Sequence, residues 1–137
     1  MTYLLDTNVL SELRKRVPDE GVEAWYTSVA SSELFLSVLT IGEVRLGVER
    51  LRRKDPPAAE RLERWLDGLV VTYGDRIVVV DSAVAQQWGR ISVPDPVPVI
   101  DGLLAATVLV RGWTLVTRNT SQVERTGARL LNPFSAR

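Results

Sequence analysis

Four oxygen-bearing side chains lie where apolar runs of this sequence end or begin. Asp6 directly follows the run Tyr3-Leu4-Leu5, and Glu43 directly follows "LFLSVLTIG". Asp101 opens the apolar segment "IDGLLAATVLV", and Asn119 follows "TLVTR". A charge at the end of a buried strand is costly unless something compensates it. These side chains are therefore the first candidates for chemistry.

The chemistry that these residue types favour is the binding of a hard cation. Carboxylates that gather within a few ångströms cannot all remain ionised at neutral pH unless they hold protons or bind a metal. The chain has no histidine and no cysteine, so any metal site must be built from oxygen ligands. Such a ligand set favours Mg²⁺ or Mn²⁺.

The elements that must position these residues are predicted from short apolar runs that alternate with amphipathic stretches. Strands that alternate with helices indicate an α/β domain with a mostly parallel central sheet covered by helices. In such sheets ligands bind beyond the carboxyl ends of the strands, where the four side chains could converge. The predicted strands are residues 3–5, 34–38, 77–80, 114–117 and 129–131.

Three amphipathic helices are indicated by apolar stripes of helical spacing. One lies within "PPAAERLERWLDGLVVTYG", which Pro56-Pro57 opens and Gly74 closes, and the others follow Pro18 and Asp81. The segments 54–57 and 92–99 are predicted loops.

Helix capping is the alternative interpretation of each acid. Asp6, Asp81 and Asp101 precede or open predicted helices, where aspartate is a favoured cap. Thr40-x-x-Glu43 matches a capping box. Caps need no common meeting point, so the joint position of the acids distinguishes the two interpretations.

Length and charge limit the classes of protein. At 137 residues the chain fits a single domain, residues 1–137. It has 17 basic and 17 acidic residues, so a polyanionic partner would need local positive patches. No secretion signal and no apolar stretch of about 18 residues is found. We therefore expect a soluble cytoplasmic protein without membrane contact.

Four sequence blocks, in order along nearly the whole chain, resemble one family. "LLDTNVLSEL", "LTIGEVRLGVERL", "VIDGLLAAT" and "LVTRN…LLNPF" are similar to the PIN-domain ribonucleases, most closely the VapC-like toxins of bacterial type II toxin–antitoxin pairs. The resemblance implies a three-layer α/β/α fold and a Mg²⁺- or Mn²⁺-dependent endoribonuclease. It also implies a homodimer that a small cognate antitoxin neutralises, with operator DNA bound only through that antitoxin.

Matching the motifs places the family's three acids on Asp6, Glu43 and Asp101, and a fourth polar position on Asn119. We expect Asp6 and Asp101 to bind the ion directly and Glu43 to bind through water or to orient the attacking water, which the metal activates to cleave RNA. Candidates for supporting or RNA-contacting roles are Thr7, Asn8, Thr117 and Arg118, with helix capping or strand-end hydrogen bonding as the alternative for the first three.

The sequence departs from the family pattern at one place. Related toxins often read T-R-N-x-x-D-F, whereas this chain has Gln122 and Val123 where an acid and an aromatic residue are expected. Glutamine is a neutral and weaker ligand than aspartate. The alternative function is therefore a weakened or inactive PIN-like module whose role is to bind an antitoxin.

Overall fold

A computed structural model describes residues 1–135 and contains five strands and seven α-helices within that range. The strands are β1 (Tyr3–Leu5), β2 (Leu34–Ser37), β3 (Ile77–Val78), β4 (Thr114–Val116) and β5 (Arg129–Leu131). The helices are α1 (Thr7–Arg14), α2 (Glu20–Ser28), α3 (Val38–Arg52), α4 (Pro56–Tyr73), α5 (Ser82–Ile91), α6 (Val99–Arg111) and α7 (Thr120–Val123).

The five strands form one parallel sheet in the order β3-β2-β1-β4-β5. The first strand of the chain is therefore its centre, where Leu4 is paired with Phe35 on one side and Leu115 on the other. Helices cover both faces, which confirms the predicted three-layer α/β/α fold. Because every strand runs in the same direction, all five carboxyl ends lie at one edge.

The core lies on both faces of the sheet because successive strand side chains point in opposite directions. Leu5 packs with Leu36 and Val116 in a cluster that includes residues of α1, α2 and α4. Leu4 packs with Leu104 and Leu115 on the α6 face. Full burial of one such leucine contributes about 1.5–3 kcal/mol, so these two layers fix the position of β1.

Three predicted strands end earlier than expected, and for β2 the cause is a polar residue that starts a helix. Ser37 caps α3 by accepting a hydrogen bond of 3.1 Å from the Leu39 N–H, so Val38 is helical. Strand β3 ends at Val78, and Val79 is 57% exposed. Thr117 lies just beyond β4.

The helix predicted between Pro56 and Gly74 is present as α4. Asp55 caps its start, and Gly74 ends it with φ of +44°, a conformation that favours glycine. Because α4 begins at Pro56, only the first half of the predicted loop 54–57 is irregular. Over residues 1–135, no helix combines the length and the apolar character needed to span a membrane.

Candidate active site

Asp6 is held at the end of the central strand by hydrogen bonds from three sides. Its Oδ1 accepts from the Thr7 N–H at 2.7 Å, and its Oδ2 accepts from the Thr117 hydroxyl at 2.7 Å and from the Asn8 side-chain amide at 3.4 Å. Asp6 therefore does cap α1. Capping involves a single hydrogen bond to Oδ1, so the carboxylate can cap α1 and also bind a cation.

Burial affects the protonation of Asp6. The residue is only 5% exposed, and desolvation raises the pKa of its carboxyl group, although hydrogen bonds from Thr117 and Thr7 act in the opposite direction. An anion that desolvation makes unfavourable is stabilised by a bound cation.

Glu43 lies inside α3, one turn beyond its start, so the predicted capping box was wrong. The cap of α3 is Ser37, and the Thr40 side chain is fully buried with no hydrogen-bond partner among residues 1–135. Glu43 instead accepts a 2.6 Å hydrogen bond from the Thr7 hydroxyl. Thr7 thus binds two carboxylates, Asp6 through its backbone and Glu43 through its side chain.

Asp101 lies in the first turn of α6, but its carboxylate accepts no hydrogen bond from any described residue. The cap position is occupied by Pro98, which provides no side-chain cap. Burial raises the pKa of Asp101, and the negative charges of Asp6 and Glu43 raise it further. The three acids are therefore close enough to repel one another, although α1, α3 and α6 are far apart in the sequence.

Residues after β4 provide support for Asp6. Besides donating to Asp6, the Thr117 hydroxyl accepts hydrogen bonds from the Asn119 N–H at 3.0 Å and the Asn8 amide at 3.3 Å. The Asn119 side chain is exposed and does not cap α7. The fourth predicted position thus contributes its backbone to the network, and its side-chain amide forms no hydrogen bond within the described range 1–135.

Arg118 is fixed at its backbone and at its side chain. Its N–H donates to Asn8 Oδ1 at 3.2 Å, and its guanidinium carbon lies 4.4 Å from the ring centroid of Phe134. The sequence prediction missed Phe134 because this residue lies outside any periodic element. The only signal was its place in the block "LLNPF".

The departure from the family pattern falls on α7. Val123 is 1% exposed and packs in the core cluster with Leu4 and Leu104, so it fills a core position. Gln122 is exposed, and its backbone N–H donates to Asn119 O.

Asp6, Glu43 and Asp101 offer only oxygen atoms to a divalent ion. Within residues 1–135, no three acidic side chains are arranged as a ready metal-ligand group. The chemistry of the donors nevertheless fits a hard cation. All are oxygens, the Asp101 carboxylate has no hydrogen-bond partner among residues 1–135, and burial together with the charges of Asp6 and Glu43 raises its pKa.

Comparisons with known proteins agree with this architecture. A family model described as "PIN domain" matches residues 3–128. Toxin FitB of Neisseria gonorrhoeae is 33% identical over 96% of this chain and 97% of its own length. VapC ribonuclease Y4jK of Sinorhizobium fredii is 31% identical over 96% of each. The solved structure of FitAB bound to an IR36 DNA fragment matches with a TM-score of 0.82 and 31% identity, over 99% of this chain and 98% of that one.

Proposed function

This chain belongs to the PIN-domain family, and from that premise we propose that it is a divalent-metal-dependent endoribonuclease and the toxin of a toxin–antitoxin pair, acting on RNA in the cytoplasm. The observation that carries the proposal is that Thr7 is hydrogen-bonded to both Asp6 and Glu43, whose negative charges in turn raise the pKa of Asp101. The names of the relatives, a ribonuclease and a toxin, support the same function. We also propose that residues 1–137 form a single nuclease domain.

Each acid has its own role in the proposed site. Asp6 and Asp101 hold the ion, because burial disfavours the ionised form of both carboxylates unless a cation is bound. Mg²⁺ is the expected ion and Mn²⁺ is an alternative. When bound, a divalent ion lowers the pKa of water and neutralises charge on the scissile phosphate.

The neighbouring residues orient these acids. Glu43, held by the Thr7 hydroxyl, is placed to orient the attacking water and accept its proton. Thr117 and Asn8 fix the second oxygen of Asp6. The exposed Asn119 amide is available to position RNA or water.

Two features support the proposal that an antitoxin binds this chain: an apolar groove and the three acids. A groove of about 590 Å³ lies between α1, α2 and α4 and is lined mainly by apolar and aromatic side chains, among them Leu13, Tyr26, Trp65 and Leu69. We propose that an apolar segment of the antitoxin binds there. An antitoxin arginine that reached the carboxylates would compete with the metal.

Assembly follows from the same proposal. We expect a homodimer, with operator DNA bound through the antitoxin, because this chain has no net charge with which to attract DNA. The relative's structure is that of FitAB on DNA.

The experiment is cleavage of a single-stranded RNA by the purified chain in Mg²⁺, Mn²⁺ and EDTA. We expect cleavage in either ion and none in EDTA, with loss in Asp6→Asn and Asp101→Asn. Asp81→Asn is the matched control, because it removes a carboxylate that only caps α5 and leaves a residue that caps equally well. Products with 5′-phosphate and 3′-hydroxyl ends indicate water as the nucleophile, whereas a cyclic phosphate would indicate attack by the RNA 2′-hydroxyl.

A non-catalytic antitoxin-binding module is the second candidate, and Gln122 is the observation that favours it. Calorimetric titration separates the two. A nuclease binds Mn²⁺ saturably in a manner that depends on Asp6 and Asp101, and a module with vestigial acids does not.

A further inference from the structure

The segment after β5 folds back onto the start of α2 and onto Arg118. Its anchor is Asp19, whose carboxylate accepts hydrogen bonds from the Ser135 N–H at 2.9 Å and the Ser135 hydroxyl at 2.5 Å. These bonds lower the pKa of Asp19 to about 2, so the carboxylate stays ionised at neutral pH. The same carboxylate caps α2 through the Val22 N–H, so one side chain joins the helix to the segment.

Gly21 permits this close packing. A Cβ atom there would collide with the Pro133 carbonyl oxygen and lie 2.8 Å from the Ser135 backbone nitrogen. Both obstacles are backbone atoms, which cannot move aside as a flexible side chain can. Glycine is thus needed at position 21 because the segment 133–135 packs against it, and not because of the conformation of α2.

The segment places Phe134 under Arg118. The ring packs against the core cluster that contains Leu5, and the Phe134 N–H donates to Asn132 Oδ1 at 3.0 Å. These two contacts fix the position of the ring. The Arg118 guanidinium lies 4.4 Å above it. This distance is within the range of a cation–π interaction.

The guanidinium is held without using its hydrogen-bond donors. Among residues 1–135 it forms no ion pair and no hydrogen bond. The Arg118 backbone is nevertheless linked to Asp6 through Asn8, which accepts from the Arg118 N–H and donates to Asp6 Oδ2. The contact with the ring leaves the five N–H donors of the guanidinium without a hydrogen-bond acceptor among residues 1–135. An arginine held in this way is suited to bind a phosphate in a bidentate manner.

We propose that Phe134 is a positioning residue that holds Arg118 at the mouth of the acidic site, ready to bind a backbone phosphate of the RNA. The inference rests on the proposed function, because it assumes an RNA substrate. The segment 132–135 supplies the rigidity, and Asp19 and Gly21 supply its attachment.

The test is a double-mutant cycle on full-length protein. F134L removes the ring but keeps apolar packing, F134W keeps a ring of stronger cation–π character, and R118A removes the guanidinium. The readouts are KM and kcat for a single-stranded RNA, and the Kd of a labelled single-stranded RNA in EDTA, where nothing is cleaved. We expect F134L to raise KM and Kd about two- to fivefold with little change in kcat.

Two further comparisons identify the cause. F134W should restore the wild-type values, and F134L should have no additional effect in the R118A background. An unchanged KM in F134L, or effects of F134L and R118A that multiply, would overturn the inference.

Gly21→Ala provides an independent route that leaves Phe134 and Arg118 intact, in case F134L does not fold. It should reproduce the rise in KM and Kd, whereas Gly89→Ala, where a Cβ meets nothing within 4 Å, should not. A Gly21→Ala protein with wild-type RNA affinity contradicts the role of the segment. A wild-type chain without metal-dependent cleavage refutes the proposed function itself, whereas an active wild type with an unaffected F134L refutes only this inference.

Discussion

The hydroxyl group of Thr117 donates a 2.7 Å hydrogen bond to Oδ2 of Asp6, a residue 111 positions earlier in the chain. The two residues follow adjacent parallel strands, β1 and β4, whose register brings their carboxyl ends together. The hydrogen bond is one of the factors that lower the pKa of Asp6 against the effect of burial.

Thr117→Val should therefore destabilise the fold and weaken metal binding. Removing the hydroxyl leaves a buried carboxylate oxygen with a poorer partner, at a cost of about 1–3 kcal/mol in the free energy of unfolding. Urea unfolding and Mn²⁺ calorimetry measure the two effects. Thr117→Ser keeps the hydroxyl and is the control; equal stability of the valine and serine variants would contradict the role assigned to this bond.

Thr7→Val should lower kcat about 10- to 100-fold, the range typical of residues that orient a metal-site ligand. The variant loses the 2.6 Å hydrogen bond to Glu43 but keeps the backbone bond to Asp6, because the latter comes from the peptide N–H. Thr7→Ser should retain activity. Steady-state cleavage of RNA checks the prediction, and a valine variant as active as the serine variant would show that Glu43 needs no orientation by Thr7.

Asp101→Asn should stabilise the metal-free protein while abolishing cleavage. The pKa of Asp101 is higher in the folded than in the unfolded chain. Ionisation of Asp101 therefore lowers the stability of the fold. The fold has its full stability below the unfolded pKa of Asp101, near 4, and loses this contribution as the pH rises through the raised folded pKa. At neutral pH in EDTA we therefore expect the free energy of unfolding of Asp101→Asn to exceed that of the wild type.

Unfolding curves at several pH values measure this gain. The difference between Asp101→Asn and wild type should shrink as pH falls towards 4, and saturating Mg²⁺ should reverse its sign. Asp81→Asn should show neither behaviour. A lower stability of Asp101→Asn in EDTA at neutral pH would exclude repulsion among the three acids.

Gln122→Asp should lower the metal concentration needed for half-maximal cleavage, by about tenfold, because added ligand charge strengthens the binding of hard cations. Gln122 is exposed on α7, so the substitution disturbs no packing. Gln122→Ala should leave activity near that of wild type. If all three proteins required the same Mg²⁺ concentration, position 122 would have no part in the site.

The sequence predicted the sheet well because its signals are local and strong. The short apolar runs at residues 3–5 and 129–131 are strands with the predicted bounds. The errors occurred at strand ends, and at the end of β2 a helix cap competes with the strand. Ser37 starts α3 within a continuous apolar run, and hydrophobicity alone does not mark that change.

That the three acids lie near one another is a prediction from the rule that parallel strands end at one edge of the sheet. Their repulsion at Asp101 agrees with that rule, and their binding of metal stays a prediction. The contact of Arg118 with Phe134 was not predictable, because it joins two irregular segments with no periodic pattern. Nor does the sequence distinguish a buried threonine such as Thr40 from a capping one.

The central position of the first strand has a consequence for biosynthesis. Because β1 is paired on one side with β2 and on the other with β4, Asp6 is synthesised 111 residues before Thr117 and has no Thr117 to hold its side chain until β4 is made. Polypeptides released early from the ribosome at any point before α6 also lack Asp101. A chain that ends before β4 therefore lacks the Thr117 hydroxyl that binds Asp6, and the environment of this carboxylate is complete only after β4 has been synthesised.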